Sequence, residues 1–207
     1  AFKKAWVLHY NRPWQQESKD VYSRYLTSKL KSRLYLELER NLLDYTKERA
    51  KEQNRQIDFI VPIHSLYSNI SAGLVAPLGT SLELSEIDGY IGQIWTGPVN
   101  WSLGNYDSED KSYFSSAYAL YDYFVQLTVG TPKKLWLLVD PVEDNPNYEW
   151  NEFKDWYKDC ATTMLMMRDT DRYEVLPWPS RIFLPGHATG GGTPAPEDFR
   201  KLVLSIT

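Results

Sequence analysis

The chain has 207 residues, 43% of them hydrophobic, with 23 Lys and Arg against 27 Asp and Glu for a net charge of −4. That is enough for one sizeable core and too little for two ordinary large domains, so residues 1–207 are read as a single domain or a fragment of one. The balanced charge lacks the basic stripe of a nucleic-acid binder, the lone cysteine, Cys160, excludes an internal disulfide, and no apolar run approaches the ~20 residues of a membrane span.

Taken in chain order, KAWVLHY (4–10) is a candidate strand ending in His9 and Tyr10. Over 18–53, Val21, Tyr25, Leu26, Leu30, Leu34, Leu38, Leu42 and Leu43 recur at helical spacing. Ser18 and Asp20 mark a start, and a break near Ser32 would make two helices. IDFIVPI (57–63) is a short, mostly apolar run of the kind that forms a buried parallel strand. LELSE leaves room for only a short helix before a second strand, IDGYIGQIW (87–95). A helix follows over 111–128, then a third strand, KLWLLVD (134–140), a helix over 149–167, a fourth strand, RYEVLPW (172–178), and a last helix from about 196.

Alternating strands and helices predict an α/β fold with a parallel sheet. Each strand ends in polar or aromatic residues, and the loops after strands build ligand sites in such folds. No G-x-G-x-x-G or P-loop follows any strand, which turns the expectation from a nucleotide-binding fold to a (β/α)8 TIM-barrel-like one. Four convincing strands are half of the eight such a barrel needs, so the chain is read as the C-terminal part of a barrel. The opening on Ala1 and the closing EDFRKLVLSIT, which reads like mid-helix, agree with a piece of a longer protein or a processed product.

Aromatics make up 14%, including 8 Trp and 15 Tyr. Such large amphipathic rings hold flat apolar ligands, sugars among them. DGYIGQIWTGPVNW, LLVDPVEDNPNYEWNEFKDWY, YEVLPWPSRIF and PAPEDFRKLVLSI resemble uncharacterised bacterial glycoside-hydrolase-like proteins with a (β/α)8 barrel, over about residues 57–207. The resemblance implies a barrel and carbohydrate chemistry, and this chain departs from it in lacking the first strands.

Glycosidic cleavage uses two carboxylates, one donating a proton and one acting as nucleophile or base. Asp140, at the end of the third strand, is the first catalytic candidate, and Glu143, on the following loop, is the second. The competing reading makes these acids, with Asp144 and Asn145, the polar cap of a loop and of the next helix. Glu174 lies within a strand, where a carboxylate facing a barrel interior must be paired or protonated; a structural ion pair with Arg172 or Arg181 is the first reading and a catalytic role the second. His64, Gln93, Trp95, Thr96, Trp101, Asp144, Trp178 and Arg181 are the substrate-binding candidates, aromatics to stack on sugar rings and polar groups to bond hydroxyls.

No zinc or EF-hand pattern appears, and no cofactor is expected; DPVEDN is only a weak cation candidate. HATGGGTP (187–194) reads first as a flexible loop and second as a phosphate cradle. The functional expectation is a glycoside hydrolase with a carbohydrate ligand. The alternatives are a barrel that binds carbohydrate without turnover and a sugar-phosphate enzyme. Work on polysaccharide would favour export, and the sequence leaves the oligomeric state open.

Overall fold

The computed structural model describes residues 1–15, 20–64, 79–94, 113–142, 149–170, 172–175, 178–184 and 194–207. They fall into two compact units, one of Ala1–Phe59 and Ala72–Ile87, the other of Ile60–Ser71 and Asp88–Thr207.

The first unit is helical. Residues 4–10, expected as a strand, belong to helix α1 (Phe2–Tyr10). The reason lies in the spacing. Phe2, Ala5, Trp6 and Tyr10 share one helical face, Trp6 is fully buried, and Val7 and Leu8 are left exposed. Asn11 ends the helix in the left-handed conformation, φ 50°, with its N–H on the Val7 carbonyl. Helix α2 (Val21–Glu52) runs unbroken through Ser32, where a break was expected; a single half-buried serine does not interrupt the backbone ladder. Its 32 residues span about 48 Å. The Asp20 side chain accepts the Ser23 N–H at 2.7 Å as the N-cap, and Leu26 and Leu30 pack on Trp6 while the Tyr10 hydroxyl donates to the Leu26 carbonyl at 2.8 Å. The segment expected as a short helix is a single 3-10 turn, Thr80–Glu83, packed against α2.

The second unit is a mixed α/β body. Strands β1 (Ile60–His64), β2 (Gly89–Ile94), β3 (Lys134–Val139) and β4 (Tyr173–Glu174) form one parallel sheet in the order β1-β2-β3-β4. The fourth strand is two residues long rather than the seven expected. Helix α3 (Phe114–Thr128) joins β2 to β3 and helix α4 (Trp150–Met166) joins β3 to β4. After the single turn α5 (Ser180–Phe183), helix α6 (Glu197–Ile206) lays Phe199 on Trp150 and Tyr157. The sheet is open among the described residues, so a closed eight-stranded barrel is not formed by them. Pro62 sits in β1, a place a proline can occupy because an edge strand needs hydrogen bonds on one side only.

Helices α3 and α4 pack on each other and on β3, so they cover the same face of the sheet. The strand order never reverses, unlike that of a doubly wound sheet. The core lies between this face and the helices, where Tyr90, Ile94, Leu137, Val139, Leu120, Phe124, Phe153 and Cys160 are fully buried. Cys160 is thus a small buried apolar residue, as its neighbours in the sequence indicated.

Candidate functional site

The opposite face of the sheet follows from one glycine. A Cβ on Gly92 would stand 2.6 Å from the Phe124 ring, so Gly92 points at α3 and its neighbours Ile91 and Gln93 point away. The register extends that assignment. Gly92 pairs with Leu137, and Leu137 with Tyr173; Gln93 pairs with Leu138, and Leu138 with Glu174. Gln93, Leu138 and Glu174 therefore stand side by side on the face turned away from α3 and α4, near the C-terminal ends of their strands. His64 is the β1 partner of Gln93 in the same register row.

Gln93 and Glu174 are half-buried, and among the described residues neither side chain forms a hydrogen bond or ion pair. The expected pairing of Glu174 with an arginine does not occur. Arg172 lies over the Trp136 ring at 5.4 Å and Arg181 turns to Asp140 instead. A half-buried amide and carboxylate without partners among the described residues, with strand β3 between them, are groups that a ligand can satisfy.

Asp140 follows β3 two residues beyond Leu138 and is 7% exposed. Its Oδ1 accepts the Val142 N–H at 3.2 Å, and its Oδ2 faces Arg181 Nη1 at 3.7 Å. The same Nη1 donates to the Val142 carbonyl at 3.2 Å, and the guanidinium lies 5.7 Å from the Trp178 ring. Trp178 is 54% exposed. Asp140 thus fixes an arginine, and the arginine backs an exposed aromatic surface. The neighbouring guanidinium favours the anionic carboxylate.

From behind, two phenols brace the strand ends. Tyr121 of α3 donates to the Leu138 carbonyl at 3.0 Å and Tyr157 of α4 to the Val175 carbonyl at 3.1 Å. Burial raises both hydroxyls above their ordinary range, with Cys160 adding to it, so they stay protonated donors. Helix α4 closes its own N-terminus, since the Glu152 carboxylate accepts the Glu149 N–H at 2.9 Å.

The structure thus brings Asp140, Trp178 and Arg181 together and sets Gln93 in line with Glu174. Glu143 and Asp144 lie outside the described residues, as do Trp95, Thr96, Trp101 and the glycine loop 187–193. The residue that the sequence undervalued is Glu174. Its alternation with Trp178 was visible, but its lack of a partner is a tertiary fact. Among the described residues no group of three or more His, Cys, Asp or Glu is placed to hold a metal ion, and no helix is long and apolar enough to cross a membrane.

No family model, no curated protein and no solved structure matches this chain.

Proposed function

We propose that the rim of the sheet face turned away from α3 and α4 binds a carbohydrate and hydrolyses its glycosidic bond, with Asp140 as a principal carboxylate. The reading extends to the fold: the four strands are taken as part of a (β/α)8 barrel of glycoside-hydrolase type. One observation carries it. On the sheet face turned away from α3 and α4, β2 and β4 carry Gln93 and Glu174, unpartnered among the described residues, while Asp140 follows β3 two residues past Leu138 and Arg181 stands between Asp140 and the exposed Trp178. Trp178 supplies a stacking surface, and Gln93 supplies a donor and an acceptor for hydroxyls. Asp140, with the Arg181 guanidinium 3.7 Å away, suits charge stabilisation of an oxocarbenium-like centre or activation of water.

A second reading, carbohydrate binding without turnover, has its own support. Asp140 is already engaged by the Val142 N–H and by Arg181, as a structural turn would engage it. The experiment that separates them is a screen of the chain against oligosaccharides and 4-nitrophenyl glycosides, repeated on Asp140→Asn. The amide keeps the Val142 bond, so the fold persists. Hydrolysis in the wild type with a loss of at least about a hundredfold in the variant supports catalysis; saturable binding by both with no product supports the binding protein.

A further inference from the structure

We propose that Glu174 is the carboxyl group that gives its proton to the departing glycosidic oxygen, an assignment that rests on the hydrolase reading above. Three observations lead to it. Glu174 is on β4, in register with Leu138, and so on the face turned away from α3 and α4. It is half-buried and makes no hydrogen bond or ion pair with a described residue, although Arg172 and Arg181 are both near it in sequence. Each arginine is engaged elsewhere, Arg172 over Trp136 and Arg181 at Asp140. A proton donor in glycoside hydrolysis must be a carboxyl group without a tight cationic partner, because a cation holds the proton off. Asp140 has such a partner in Arg181, and Glu174 has none among the described residues.

The spacing agrees. Asp140 is two residues past the position opposite Glu174 on the neighbouring strand. Strand separation and rise then put the two Cα atoms about 8 Å apart, so carboxyl groups on this face fall within the range glycosidases use. Glu143, the sequence's second candidate, lies outside the described residues; Glu174 is fixed on a strand, and a catalytic group needs a rigid mount.

The step balances without any co-reactant beyond water. Glu174 transfers its proton to the glycosidic oxygen while the bond from that oxygen to the anomeric carbon breaks and its electron pair stays on the oxygen. The leaving group departs as an alcohol. A water oxygen adds to the anomeric carbon, and its proton passes to Asp140. Glu174 ends ionised and Asp140 protonated, and exchange with solvent restores both.

The test compares leaving groups on the whole chain. Glu174→Gln and Glu174→Asp are assayed beside the wild type on 2,4-dinitrophenyl glycosides, whose leaving group needs no proton, and on the matching unactivated oligosaccharides. The expected result for Glu174→Gln is a fall in kcat/KM of about a thousandfold on the oligosaccharide and less than about tenfold on the dinitrophenyl glycoside, with the basic limb of the pH profile lost. Glu174→Asp should retain that limb at reduced rate, which distinguishes a titrating donor from a packing role. Asp140→Asn should lose both substrates equally. Equal losses, or no loss, in Glu174→Gln on the two substrates would overturn the assignment while leaving the hydrolase reading in place. A wild type that turns over neither substrate removes that reading and the assignment together.

Discussion

Arg181 Nη1 stands 3.7 Å from Asp140 Oδ2 and 3.2 Å from the Val142 carbonyl oxygen, so one guanidinium ties the end of β3 to the turn that follows it. The Asp140 side chain is 10% exposed and that of Arg181 22%, a burial at which removing one partner of an ion pair costs more than it does on an open surface.

Removing Arg181 should therefore cost more than removing the charge it faces. Arg181→Ala leaves a buried carboxylate without its cation and is expected to destabilise by about 2 kcal/mol. The same substitution made in an Asp140→Asn background should cost about 1 kcal/mol less, because the stranded charge is gone. Urea unfolding of the four proteins measures this cycle. A coupling of zero would mean that the pair does not form in solution.

How much of this was legible in the sequence depends on which signal was local. The parallel strands announced themselves through short apolar runs such as IVPI and LWLLV, and α3 and α4 through their 3.6-residue period. α1 was misjudged because AWVLH is apolar without interruption, and only the packing of Phe2, Ala5, Trp6 and Tyr10 on one face decides the period. Asp140 was legible because a strand end beside a proline is a local feature. The roles of Arg181 and Glu174 were not, since Arg181 had two acids within reach and only the fold chooses between them. The register that aligns Gln93 with Glu174 is likewise set by pairing across strands.

Gly92 offers a test of the face assignment on which the site rests. A methyl group there would stand 2.6 and 2.7 Å from Phe124 Cγ and Cδ2, and Phe124 is fully buried and has nowhere to move. Gly92→Ala is expected to lose about 2 kcal/mol by overpacking. Gly92→Ala combined with Phe124→Leu should recover part of that loss, because the smaller side chain vacates the space. Thermal or urea melts of the pair decide it. An alanine variant as stable as the wild type would mean that Gly92 does not face α3, and Gln93 and Glu174 would then lose their place on the opposite face.

Glu39, midway along α2, carries a pH dependence of definite sign. It is 4% exposed with both carboxyl oxygens out of contact with solvent, and burial raises its pKa above the ordinary 4.5, against a smaller opposite effect of the Tyr35 hydroxyl one turn earlier. A raised carboxyl pKa means that the folded chain holds more protons than the unfolded one between the two values. Stability from this group is then complete below the unfolded value and is lost as pH rises through the folded one. Glu39→Gln has no proton to lose. Its stability relative to the wild type should therefore grow as pH rises from about 4 to 7. Urea melts at half-unit pH steps, followed by far-UV circular dichroism for the helices, give the difference directly. A difference that is flat with pH, or one that shrinks as pH rises, would show that Glu39 is not desolvated in the folded chain.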